Sequence, residues 1–118
     1  LVKRSKPIQW VSLSAMVGSI EDNSLGGWYS YRMSKAALNM FVKNLSIEWG
    51  RKAPGSIVAA LHPGTTESPL SEPFQAGIAE GKLYSRAETA ERLIRVMREL
   101  NPEQHGKLLH WDGSILPF

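Results

Sequence analysis

Tyr31 and Lys35 stand four positions apart in a stretch, 28–49, that contains neither Pro nor Gly. On a helix, that spacing puts a phenol and an ammonium on one face, one turn apart. A neighbouring cation favours the phenolate, so a Tyr in this setting can give or take a proton near neutral pH. A carbonyl that accepts a hydride needs such a proton on its oxygen, and a nearby hydroxyl can hold that oxygen in place. Ser14, just past an upstream β-rich stretch, is the candidate for this hydroxyl. Alone, Tyr-x-x-x-Lys is also what a solvated, ion-rich helix face shows. Its weight comes from the elements around it.

Those elements alternate. Residues 7–13 read as a strand rich in β-formers, and 14–27 as a loop with Gly18, Asn23, Ser24, Gly26 and Gly27 as turn residues. The pattern over 28–49 is helical, with Ala37, Met40, Phe41, Asn44, Leu45 and Glu48 at helical spacing. A closing segment, 50–55, carries Gly, basic residues and Pro. Residues 56–61 are almost continuously apolar, as expected of a parallel strand covered on both faces. His62-Pro63-Gly64 ends that strand. The stretch 65–82 has no clear periodicity and reads as a lid-like loop with a short helix. Ser85-Arg86-Ala87-Glu88 is a capping box that starts a helix to about residue 100. Residues 107–111 form a third strand before an Asp112-Gly113 turn. Strand, helix, strand, helix, strand predicts an α/β fold with a parallel sheet. Ligands on such sheets sit beyond the strands' C-terminal ends, so the loops after Leu13 and Leu61 are the expected functional loops.

Composition narrows the alternatives. The 118 residues suit one domain, and 42% apolar with 21% charged residues argues against wholesale disorder. There are no cysteines, which excludes disulfides, thiolate metal sites and a Cys nucleophile. His62, His105 and His110 match no metal-ligand spacing and read as strand-end or surface residues. The net charge of +3 includes basic groups at Lys3–Lys6, at Arg51 and Lys52, and at Arg92, Arg95 and Arg98. They read as solvated faces, not as a nucleic-acid footprint. No signal peptide and no membrane span are visible, which points to the cytoplasm. The chain opens on Leu1 instead of Met, as a fragment or processed product would.

Tyr31-Arg32-Met33-Ser34-Lys35-Ala36-Ala37-Leu38-Asn39 resembles the active-site helix of the short-chain dehydrogenase/reductase family. Gly18-Ser19-Ile20, Gly26-Gly27, Leu61-His62-Pro63-Gly64 and Trp111-Asp112-Gly113 resemble the branch containing C-factor proteins and sniffer-type carbonyl reductases. The resemblance implies that residues 1–118 are the C-terminal, catalytic half of a Rossmann-like doubly wound parallel sheet. It implies an NAD(P)-dependent oxidoreductase acting on a small carbonyl or alcohol. Tyr31 would be the acid/base, and Lys35 would tune it and hold the nicotinamide ribose. Pro63 and Gly64 would line the nicotinamide pocket, with backbone near Thr66 meeting the carboxamide and Ser68 standing where the family usually has a Thr. The helix 28–49 would form a homo-oligomer interface. An alternative is a C-factor-like signalling or interaction module that does not require catalysis.

The sequence departs from the family's pattern in three places. The branch usually ends its strand with Ser-Ser, but here the pair is Ser14-Ala15. Either Ser14 serves with the loop shifted by one residue, or no serine fills the slot. Ser68 replaces Thr, which keeps the hydroxyl. No Gly-x-x-x-Gly-x-Gly occurs, so the N-terminal dinucleotide-binding half is expected to be absent from this chain and the chain by itself inactive.

Overall fold

A computed structural model describes residues 6–118, so Lys3 and Arg4 of the first basic group lie outside the described residues. The strands are β1 (Gln9–Leu13), β2 (Ile57–Leu61), β3 (Lys107–Leu109) and β4 (Ile115–Leu116), and the helices are α1 (Tyr29–Lys52) and α2 (Arg86–Arg98). They form one sheet in the order β1-β2-β3-β4. β1, β2 and β3 are mutually parallel, with Trp10 opposite Val58 and Ala60 opposite Leu108. β4 returns antiparallel to β3. The α/β, mainly parallel architecture is the expected one.

β2 is apolar throughout because helices cover both of its faces. Ala59 and Leu61 pack with Leu109 against Leu93 and Val96 of α2. Val58 and Ala60 pack with Leu108 against Val42 of α1, with Leu45 and Trp49 alongside. The period of two along a strand sends alternate residues into these two separate cores.

The elements differ from the expected ones in bounds and number. The inner face of α1 is Asn39, Val42 and Ser46, while Met40 and Phe41 are exposed. The helix also runs through Gly50 to Lys52, ending at the Pro54-Gly55 turn, where Gly55 has φ 83°. Basic Arg51 and Lys52 in its last turn suit the negative end of the helix dipole. Finally, β4 has no sequence signature, since two residues are too short for any periodicity. It forms because Asp112 accepts hydrogen bonds from the Ser114 amide and hydroxyl while Gly113 takes φ 86°, closing a tight hairpin.

His105 is not a surface residue. Its Nδ1 accepts from the Val58 amide at 3.2 Å and its Nε2 lies 2.8 Å from the Ser46 carbonyl, so it ties β2 to α1. Nearby Gly106 (φ 72°) leaves room for the Ser46 side chain where a Cβ would collide. Among the described residues β1 pairs on one edge only, and Trp10 beside that edge leans on Phe41 and Trp49 at 6.1 and 6.2 Å.

Candidate active site

The C-terminal ends of β1, β2 and β3 and the first turn of α1 supply the candidate residues. The approach to α1 is unusual. Gly26, Gly27 and Trp28 have φ 66°, 70° and 49°, and Trp28 is the one non-glycine with positive φ among the described residues. Such strain costs about 1–3 kcal/mol and needs outside support. Arg32 supplies part of it, donating to the carbonyls of Gly26, Gly27 and Val17.

Tyr31 and Lys35 are brought together as their spacing predicts. The Lys35 ammonium lies 5.9 Å from the centre of the Tyr31 ring. Tyr31 is 42% exposed, so its phenol is open to a ligand. Lys35 also donates to the Leu13 carbonyl at 3.1 Å, which fastens α1 to the end of β1. The loop after β1 lies directly on α1: a Cβ at Gly18 would come within 2.7 Å of the Lys35 backbone carbon and Cβ. Only glycine permits that approach, a requirement the sequence reading did not extract from the Gly-Ser-Ile motif.

Ser14 goes elsewhere. It is 4% exposed, its amide donates to the Leu61 carbonyl, and its hydroxyl donates to Asn39 Oδ1 at 2.6 Å. Its hydrogen is thus committed to the inner face of α1 and is not offered to a molecule beside Tyr31. Ala15 is buried as well. Asn39, the last residue of the Tyr31–Asn39 motif and given no role of its own there, is the partner that holds Ser14, and its own Nδ2 is buried without a partner among the described residues.

The loop after β2 leaves the same end of the sheet, beside β1. Pro63 and Gly64 are half-buried, and Gly64 adopts φ 78°. A Cβ there would lie 3.2 Å from both the Tyr84 and Trp111 rings. The excursion 65–84 is closed at its base: the Tyr84 amide donates to the Thr65 carbonyl and the Glu67 amide to the Tyr84 carbonyl. The Thr66 hydroxyl lies 2.8 Å from that of Thr89 on α2. Ser68 is tied to Ser71, whose hydroxyl accepts from the Ser68 amide and donates to the Thr66 carbonyl. The expected short helix is a 3-10 turn, Glu72–Gly77. Its Phe74 meets Trp28, so this segment touches the entrance to α1.

At the end of β2, His62 packs edge-on against His110 at 5.3 Å, and His110 against Trp111 at 5.1 Å. Burial, and then the neighbouring His110, lowers the His62 pKa to about 4, so this imidazole is neutral at pH 7. Neither His62 nor His110 belongs to a cluster of three or more metal-ligating side chains among the described residues.

No protein-family model matches the chain. Over 106 residues it is 36% identical to the 1-hydroxy-2-glutathionyl-2-methyl-3-butene dehydrogenase of Rhodococcus sp. strain AD45, covering 90% of this chain and 45% of that protein. It is 31% identical to the C-signal protein of Myxococcus xanthus, covering 90% of this chain and 58% of that one. Among solved structures it superposes on the carbonyl reductase Sniffer of D. melanogaster with a TM-score of 0.80 at 25% identity, over 97% of this chain and 44% of that one. An NADPH-bound carbonyl reductase from chicken fatty liver gives 0.76 at 27% identity, over 93% and 42%. The chain thus spans about half the length of the relatives it matches.

Proposed function

We propose, from a chain whose homologues are short-chain dehydrogenase/reductase proteins, that it is the C-terminal, catalytic half of an NAD(P)-dependent oxidoreductase that interconverts a small carbonyl compound and its alcohol. The observation that carries this reading is the Tyr31–Lys35 pair, with an exposed phenol and an ammonium one turn below it at the C-terminal edge of a parallel sheet.

The donors present fit a nicotinamide cofactor. Lys35 uses one N–H on Leu13 and keeps others for a ribose hydroxyl. Gly64 has a positive φ that turns the backbone there, and the Tyr84 and Trp111 rings, 3.2 Å from where its Cβ would be, leave no room for a side chain. In this reading Pro63, Gly64 and the backbone at Thr66 line the nicotinamide side, and Ser68 contributes a hydroxyl. When bound, the nicotinamide supplies or accepts the hydride.

The chain's own residues handle the proton. Tyr31 gives its phenolic proton to the carbonyl oxygen as the alcohol forms and takes it back in the reverse direction. Lys35 favours the phenolate left behind. Ser14 enters only by exchanging its bond to Asn39 for one to the substrate oxygen; otherwise it holds β1 to α1. The segment 65–82 covers the site and contacts substrate. The exposed outer face of α1, with Met33, Met40 and Phe41, supplies a surface for a second copy. The pyrophosphate and adenine of the cofactor require residues beyond those in this chain, so turnover belongs to a longer protein.

The test is oxidation of NADPH or NADH with an aldehyde or ketone by the full-length protein containing this chain, against its Tyr31→Phe variant. Activity lost in the variant supports the reading. Undiminished activity in Tyr31→Phe, or none in the unaltered protein with any carbonyl or alcohol, overturns it.

A further inference from the structure

The basic group on α2 was expected to be a solvated face, and one member of it is not. Arg92 is half-buried. Its guanidinium carbon lies 3.9 Å from the centre of the Tyr84 ring and 4.3 Å from the centre of the Trp111 ring. The two rings stand 5.9 Å apart. Arg92 Nη1 is buried and has no hydrogen-bond partner among the described residues. The cation is therefore held chiefly by aromatic faces, an arrangement that gains strength when desolvated.

What these rings touch gives the stack its meaning. Tyr84 and Trp111 both lie 3.2 Å from where a Gly64 Cβ would be, so they close over the turn that follows β2. Tyr84 also bonds through its backbone to Thr65 and Glu67. Trp111 continues through His110 to His62, the residue before Pro63. One turn before Arg92, Thr89 is bonded to Thr66. The two rings that meet at Gly64 thus share one guanidinium, and His110 and Thr89 hold His62 and Thr66 on either side of that turn.

We propose that the Arg92–Tyr84–Trp111 stack is a positioning device for the Pro63–Gly64 turn, setting where that turn's backbone meets the nicotinamide. This rests on the oxidoreductase reading. Arg92 touches neither cofactor nor substrate; it acts through the rings. Its removal lets the rings relax and the turn drift, and a drifting wall weakens cofactor binding while leaving the Tyr31 proton transfer in place once cofactor is bound.

The experiment uses the full-length protein with Arg92→Leu, Arg92→Lys and Tyr31→Phe. NADPH affinity is read from its own fluorescence, kinetics with a saturating carbonyl substrate, and thermal unfolding without cofactor. For Arg92→Leu the expected result is a rise in both Kd and KM for NADPH of about tenfold, with kcat at saturating NADPH changed by less than about threefold. Arg92→Lys keeps the charge but not the planar fork, and its NADPH affinity falls between the two. A melting temperature that drops while Kd and KM for NADPH stay at the unaltered values would make the stack mere packing and overturn the proposal. If Arg92→Leu does not fold, Arg92→Lys and Trp111→Phe decide on the same axis: a raised KM for NADPH in both supports it, and an unchanged KM in either sinks it. The two readings fail separately. Tyr31→Phe retaining turnover removes the oxidoreductase reading; Tyr31→Phe inactive with Arg92 variants of normal NADPH affinity removes only the stack. A full-length protein that binds neither NADPH nor NADH removes both.

Discussion

The Ser14 hydroxyl donates to Asn39 Oδ1 at 2.6 Å, across the boundary between β1 and α1 and away from Tyr31. Ser14→Ala leaves Asn39 with a second unpartnered polar atom in a buried site. A lost buried hydrogen bond of this type costs about 1–2 kcal/mol. The expected outcome for the full-length protein is an unfolding free energy from urea titration lower by that amount and a fall in kcat of less than about tenfold. A substrate-orienting donor would instead cost on the order of 100-fold or more in kcat. A loss of that size with unchanged stability would show that Ser14 turns to the substrate during reaction.

Gly18 sets the distance between the loop after β1 and the Lys35 backbone. A methyl group at this position meets main-chain carbon at 2.7 Å, which no side-chain rotation can relieve. Gly18→Ala is expected to destabilise the protein by about 1–3 kcal/mol in denaturant titration. It also lowers turnover, because the helix displaced is the one that carries Tyr31 and Lys35. Equal stability and turnover in the variant would mean that the loop moves freely over α1.

Trp28 and Phe74 stand with ring centres 5.5 Å apart, joining the start of α1 to the Glu72–Gly77 turn. Both are more than half exposed, so the contact is a bridge over the surface, not a core. Phe74→Ala should leave the melting temperature within a few degrees and raise the KM for carbonyl substrates severalfold, with the KM for NADPH altered less. Substrate kinetics on the full-length protein check this. A KM shift confined to NADPH would place the bridge on the cofactor side.

His62 makes stability depend on pH. Its folded pKa is about 4 against an ordinary 6.5, chiefly because of burial and then His110. Between those values the unfolded chain binds a proton that the folded chain does not. The stability His62 contributes is therefore complete above about pH 6.5 and is lost as pH falls toward 4. The groups facing it are His110 and, beyond His110 Nδ1 at 3.9 Å, Asp112. Asp112 itself is held below the usual carboxylate range by Ser114, and Glu88 by Ser85, so both add further loss only in more acidic solution. The His62→Gln variant should show a flatter dependence of the urea midpoint between pH 6.5 and 4. Parallel curves for the two proteins would mean that His62 protonates in place.

The amino-acid sequence by itself determined the alternation of strands and helices, because each long element carries its own period or cap. The apolar run 57–61 and the Ser85–Glu88 capping box are local signals, and both elements formed where they predicted. The Tyr31–Lys35 spacing was equally local, since one helix turn fixes the distance between the two. The hairpin strand Ile115–Leu116 was too short to leave a period. The covered face of α1 was left open because amphipathic spacing does not say which face meets this sheet and which stays exposed. Only tertiary structure decided the partner of Ser14, the glycine contact at Gly18 and the placing of half-buried Arg92 against two aromatic rings. Each joins groups from separate elements, distant along the chain, and such meetings are fixed by how the elements pack, not by the residue types in either segment.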